Sequence, residues 1–181
     1  MVAPDPTSRA AAGRVRELAR IGAVRAASAF ATLLGRELRA REPRVRAPLE
    51  VRAAGETQVG IVFEMQGTLE GLIALLLPPL ERQALVASVC PEAEARSELA
   101  ESALREVGNI IASQAVSAVA DHLGGRITLS VPLLLEEGAG AVVAEMLEER
   151  IAKRTAIATQ SELCEPAGGH RALLIFAPEQ G

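Results

Sequence analysis

Ser102, Glu106 and Asn109 follow one another at intervals of four and three residues, in a segment whose apolar pattern predicts a long helix. On a helix such positions fall within about 60° of one another, so the three side chains should form one polar stripe. Ser113 extends this stripe by another turn. The opposite sector should pack on a sheet; it contains Ala103, Val107, Ile110, Ile111 and Ala118.

A stripe of this kind could position water. A carboxylate can hold a cation, and an amide can orient a water molecule because it both donates and accepts hydrogen bonds. Attack of water on a phosphoryl group depends on such positioning and on electrostatics. The sequence shows no adjacent histidine base and no glycine-rich phosphate loop, so the phosphate and its metal would come from a partner. On the residues alone, an ordinary solvated helix face remains the alternative.

The order Ser102, three residues, Glu106, two residues, Asn109, twenty-two residues, Pro132 resembles the signature of the CheC/CheX/FliY phosphatases. The similarity continues through 103–110 and covers approximately residues 10 to 178. It implies hydrolysis of the aspartyl phosphate of a CheY-like response regulator in chemotaxis. Asn109 would align the attacking water, and Glu106 would contact a lysine of the regulator.

The same resemblance implies supporting roles and partners. Ser102 would lie at the edge of the site, and Pro132 would shape the strand beside the helix. No cofactor is expected on this chain; the regulator would carry Mg²⁺. CheD is a further candidate partner. The alternative function is a weakly catalytic or non-catalytic binding module, either a CheD-binding adaptor or a FliM-like switch component.

A second copy of the signature occurs in the first predicted helix, in altered form. Glu17 and Pro43 are correctly spaced, but Gly13 replaces the Asp or Ser and Arg20 replaces the Asn. A guanidinium only donates hydrogen bonds, so it cannot be the acceptor that a water-orienting amide is. We expect an ion pair between Arg20 and Glu17 and no catalysis at this position. Docking of an acidic partner by Arg20 is the open alternative.

Periodicity and turn residues predict the following elements. They are a helix over 6–39, strands over 49–53, 59–65 and 69–77, a helix over 80–89, a helix from Pro91 or Glu92 to His122 or Leu123, a strand over 127–135 interrupted by Pro132, a helix over 139–147, and strands over 155–163 and 171–177.

The pattern of long helix followed by short strands occurs twice. A shift of 89 residues places Glu17 on Glu106 and Pro43 on Pro132. We therefore predict one α/β (α+β) domain, internally duplicated about a pseudo-twofold axis, with halves at about 10–90 and 91–178. Two long helices should cover one face of a mostly antiparallel sheet. Because the duplication supplies its own pseudo-dimer, we expect a monomer.

Composition narrows the function classes. The net charge of −4 and the absence of Trp and Tyr argue against nucleic-acid binding. No signal peptide or membrane span is evident, so a cytoplasmic protein is expected. Cys90 and Cys164 match no metal-ligand spacing and are interpreted as idle thiols. His122 and His170 are isolated and are expected to be structural.

Overall fold

The computed structural model describes residues 6–54, 58–94, 97–153 and 156–179. Its helices are α1 (Pro6–Leu34), α2 (Pro48–Ala54), α3 (Pro79–Val89), α4 (Glu98–Leu123) and α5 (Ala139–Ala152). Its strands are β1 (Arg39–Ala40), β2 (Arg44–Val45), β3 (Val59–Gly67), β4 (Gly71–Leu77), β5 (Ile127–Leu129), β6 (Leu133–Leu135), β7 (Thr159–Cys164) and β8 (His170–Pro178). None of the helices in these ranges is long and apolar enough to cross a membrane.

The strands form one antiparallel sheet in the order β1-β7-β8-β4-β3-β5, with β2 also pairing with β7 and β6 with β3. The centre is held in register by pairs such as Ile61 with Leu75 and Leu75 with Leu174. The predicted mixed class and antiparallel sheet are confirmed. The short strands β5 and β6 lie at one edge, and β1 and β2 lie at the other.

Both faces of the sheet are covered. Phe30 of α1 and Ile111 of α4 pack on the face that carries Phe63, in the larger of two apolar clusters. The predicted packing of the two long helices on one face is therefore confirmed. On the opposite face, Val51 of α2 and Val143 of α5 belong to a second cluster. This second helical layer was not predicted, and it explains why β4 is buried along its whole length.

Helix α4 has well-defined ends. The Ser97 side chain caps its first turn by accepting a hydrogen bond from the Ala100 amide at 3.2 Å. Gly124 ends the helix with φ of 65°, a conformation that glycine adopts without a steric penalty. The predicted carboxyl end is thus confirmed. The predicted start at Pro91 or Glu92 is wrong, because these two residues lie in a turn before the cap.

Other boundaries also differ from the prediction. The strand predicted over 49–53 is wrong; this segment is helix α2, in which Pro48 occupies the first turn and Glu50 accepts a hydrogen bond from the Ala47 amide at 2.8 Å. Helix α1 ends before Gly35 and not at Arg39, which belongs to β1. The predicted strand over 127–135 is divided into β5 and β6, and Thr155 lies outside the described residues.

The order of elements is the same in both halves. Helix, two short strands, helix and two long strands occur as α1-β1-β2-α2-β3-β4 and again as α4-β5-β6-α5-β7-β8. Helix α3 joins the two series. The internal duplication and its division at about residue 90 stay predictions, and the repeated order supports them.

Candidate active site

An open groove of about 510 Å³ runs along the predicted polar stripe of α4. One wall is helical, and the other is the segment that joins β5 to β6. The lining residues are Ser102, Arg105, Glu106 and Asn109 on the helix, and Leu129, Ser130, Val131 and Pro132 opposite. The structure thus brings Ser102, Glu106, Asn109 and Pro132 together around one space.

Gly108 holds this part of α4 against the sheet. A Cβ atom at this position would lie 2.6 Å from Ile61 Cγ2, so only glycine permits such a close approach. Val107 and Ile111 are buried beside it. The flanking residues Glu106 and Asn109 are therefore directed away from the sheet by a tightly packed helix face.

The Asn109 amide is half-buried and has a neighbour on its own helix. The Ser113 hydroxyl donates a hydrogen bond to Asn109 Oδ1 at 3.5 Å. This contact restrains the orientation of the amide, which lines the groove. Ser113 does not line the groove itself; it supports Asn109 from one turn behind.

The Glu106 carboxylate is exposed and makes no hydrogen bond or ion pair with any residue in the described ranges. The adjacent Arg105 instead pairs with Glu101 at 3.3 Å. A carboxylate without a partner at the mouth of a groove is available to a cation from another molecule.

The opposite wall is fixed to the sheet by Ser130. Its amide donates to the Glu64 carbonyl, and its hydroxyl accepts from the Glu64 amide, both at 2.9 Å. Pro132 lies at the break between β5 and β6. Because no strand pairing occurs at this break, the missing N–H group of proline costs no sheet hydrogen bond. Between them Val131 is 85% exposed, an apolar side chain at the rim of the groove.

The altered site in the first half has different chemistry. Arg20 donates from Nη2 to Glu17 Oε1 at 2.7 Å and from Nε to Oε2 at 3.1 Å, which confirms the predicted ion pair. The hydrogen bond from Arg20 lowers the pKa of Glu17, and the same bond raises the pKa of Arg20. Gly13 has open space around it and Pro43 is buried. The carboxylate is thus occupied by its own helix.

Some predicted placements need correction. Ile110 is not part of the buried face of α4; it is 36% exposed and lies on the side of Glu106 away from the groove. The buried sector is centred instead on Leu104, Ile111 and Ala115. Sequence reasoning also missed Ser130 and Val131. Their position directly before Pro132 was the signal that could have identified them.

The remaining singled-out residues lie apart from the groove. Cys90 and Cys164 are buried free thiols. His122 is exposed at the end of α4, while the His170 side chain lies outside what the structure describes. Across the described part of the chain, no group of three or more His, Cys, Asp or Glu side chains is arranged to hold a metal.

Comparison with known proteins finds a family whose sequences resemble the segment that forms the groove. The model of the CheC-like family matches residues 99–136, the segment that contains both walls. The curated protein CheY-P phosphatase CheC of Bacillus subtilis (strain 168) is 27% identical over 147 residues, which cover 75% of this chain and 70% of that protein. The chain is therefore similar to the CheC-like family over the segment that forms the groove, and to CheC over most of its length.

Solved structures of the CheC/CheX/FliY family share the fold. FliY of Thermotoga maritima aligns with a TM-score of 0.62 at 18% identity, covering 97% of this chain and 92% of FliY. A CheX-CheY-BeF₃-Mg²⁺ complex of Borrelia burgdorferi aligns with a TM-score of 0.59 at 18% identity, covering 86% and 95%. A CheC-like protein of Shewanella sp. PV-4 aligns with a TM-score of 0.64 at 11% identity, covering 91% and 97%.

Proposed function

We propose that this chain hydrolyses the aspartyl phosphate of a CheY-like response regulator, with Glu106 and Asn109 as the catalytic residues. One observation carries the proposal. A carboxylate that makes no ion pair or hydrogen bond within the described residues stands beside an amide that is restrained by Ser113, on one helix above an open groove. The groove is exposed, so a partner protein can bring its phosphoryl group to these side chains.

The two side chains would act on different parts of the regulator. The Glu106 carboxylate accepts hydrogen bonds from a lysine ammonium and fixes the docked orientation. The Asn109 amide holds a water molecule in line with the phosphorus–oxygen bond of the phospho-aspartate. The water oxygen bonds to phosphorus as the bond to the aspartyl oxygen breaks, which yields inorganic phosphate and the free aspartate.

The metal would belong to the regulator. A Mg²⁺ ion bound there neutralises the charge that develops on the phosphoryl oxygens. Glu106 is assigned to a lysine of the regulator, the role that the family resemblance implies for it. The names of two relatives support this partner: one is called a CheY-P phosphatase, and another is a CheX in complex with CheY.

A single working site is part of the proposal. In the first half, Glu17 is held by Arg20, and the guanidinium stands where the amide would be needed. An arginine cannot accept a hydrogen bond from water, so it cannot take the role of Asn109. Turnover should therefore come from the second half alone.

The experiment compares wild type, Glu106→Gln and Glu98→Gln for the loss of phosphoryl groups from a phosphorylated CheY-like regulator with Mg²⁺. Glu98 is a matched control because it is an exposed carboxylate in the first turn of the same helix and does not line the groove. Glu106→Gln should bind the regulator more weakly and turn it over more slowly, while Glu98→Gln should match wild type. If wild type binds the regulator without accelerating phosphoryl loss, the chain is a binding module.

A further inference from the structure

A second cavity of about 250 Å³ lies on the other side of Glu106, away from the catalytic groove. It shares Ser102 and Glu106 with that groove, so the two spaces lie side by side with these residues between them. Its walls are apolar and come from three helices. They include Leu33 of α1, Val89 at the end of α3, Cys90 directly after it, and Leu99, Ala103 and Ile110 of α4.

We infer that this apolar pocket receives an apolar side chain of the response regulator, one that lies beside the opening of the regulator's phosphorylation site. The inference rests on the proposed function, because the pocket would be covered when the regulator engages Glu106 and Asn109. It adds a specificity determinant outside the groove in which water attacks.

The pocket presents apolar surface that nothing in the described chain covers. Leu99 is 49% exposed, Val89 is 38% exposed and Ile110 is 36% exposed. The Cys90 sulfur adds to this wall as a neutral group, since burial and the nearby Glu92 carboxylate raise the pKa of its thiol. Apolar side chains gathered around one unpartnered carboxylate are typical of a protein contact with a charged centre.

The walls are held in place before any partner binds. The Ser88 hydroxyl donates to the Leu33 carbonyl at 2.7 Å and ties α3 to the end of α1. The cap at Ser97 fixes the start of α4. A preformed pocket of this kind lowers the entropy cost of docking.

The pocket accompanies the intact signature and not the altered one. At the corresponding positions of the first half, Ala10 replaces Leu99 and Arg14 replaces Ala103. The residue that corresponds to Leu33, which lines the pocket, is His122 near the first-half site. The apolar pocket and the working site therefore occur on the same side of the molecule.

The test measures the Kd of a beryllofluoride-activated CheY-like regulator and the turnover of its phosphorylated form, for wild type, Leu99→Asn, Ile110→Asn and Leu80→Asn. These changes keep the net charge, so the electrostatic attraction between Glu106 and a lysine of the regulator is unaltered. Leu80 is the matched control because it is a 75% exposed leucine on α3 outside the pocket. Leu99→Asn and Ile110→Asn should each raise Kd and KM about fivefold to tenfold at unchanged kcat. Leu80→Asn should change neither, and Leu99→Met should restore wild-type binding.

Each other outcome has a defined meaning. If wild type turns over the regulator but the pocket variants keep its Kd, the inference fails and the phosphatase proposal stands. If the pocket variants bind the regulator more weakly than wild type does, but wild type shows no turnover, the catalytic proposal fails and the inference about the pocket stands. If Leu99→Asn alters only self-association, as measured by sedimentation, a second copy covers the pocket and the inference is overturned.

Discussion

Gly108 and Ile61 make a backbone-to-side-chain contact that leaves no room for a Cβ atom, since such an atom would lie 2.6 Å from Ile61 Cγ2. This contact sets the height of α4 above β3. Because Gly108 directly precedes Asn109, any displacement of the helix here moves the amide relative to the opposite wall of the groove.

Replacement of Gly108 by alanine should therefore affect both stability and catalysis. Overpacking against Ile61 should lower the free energy of unfolding by about 1–3 kcal/mol, measured by urea denaturation. Turnover should fall because Asn109 is displaced. Gly13→Ala is the matched control: a Cβ there meets nothing within 4 Å, so the helical alanine should stabilise α1 by up to about 1 kcal/mol. Equal effects of both changes would contradict the assigned role of Gly108.

Ser113 should act as a positioning residue through Asn109. Removal of its hydroxyl in Ser113→Ala frees Asn109 Oδ1 and allows the amide to rotate. We expect kcat to fall about threefold to tenfold at an unchanged Kd for the regulator. Ser117→Ala removes an exposed hydroxyl one turn further along α4 and should leave kcat at the wild-type value. A rise in Kd with normal kcat would show that Ser113 contacts the partner instead.

The pair formed by Glu17 and Arg20 should make the stability of the fold depend weakly on pH. It should not contribute to catalysis. The hydrogen bond from Arg20 holds the pKa of Glu17 below its usual value. Its small contribution to stability is therefore present above the usual pKa of glutamate and is lost as the pH falls through the lowered value. In Arg20→Ala, NMR titration should show the pKa of Glu17 rising toward the usual range, with normal phosphatase activity.

Arg25→Ala serves as the comparison for that titration. Arg25 is exposed on the same helix and makes no ion pair within the described ranges. Its removal should leave the pKa of Glu17 unchanged. A loss of turnover in Arg20→Ala would contradict the single-site account, because it would assign a function to the first half.

The sequence predicted the candidate site on α4 more completely than it predicted the helix and the short strands elsewhere in the fold. The 3.6-residue pattern and the glycine stop identified α4, and helical spacing alone placed Glu106 and Asn109 on one stripe. The alternation of Leu49, Val51 and Ala53 is typical of a strand, but the segment is helix α2, whose Val51 packs in the apolar cluster on the sheet. Strands β1 and β2 have two residues each, too few for any periodicity.

Tertiary packing also determines which apolar residues are buried, which the sequence pattern alone does not show. Ile110 looked like a core residue, but α3 ends beside it and leaves an open pocket. A helical pattern shows which residues share a face, not which neighbouring element covers that face. Likewise, only the structure shows that the exposed Val131 stands across the groove from Asn109.

The most direct test of the account is the rate at which a saturating amount of Asn109→Ala removes the phosphoryl group from a CheY-like regulator, compared with wild type and Arg20→Ala. If Asn109 positions the attacking water, its removal should slow the reaction about 100-fold or more at an unchanged Kd for the regulator. Arg20→Ala, the change at the corresponding position of the first half, should match wild type. A wild-type rate for Asn109→Ala would contradict the central claim.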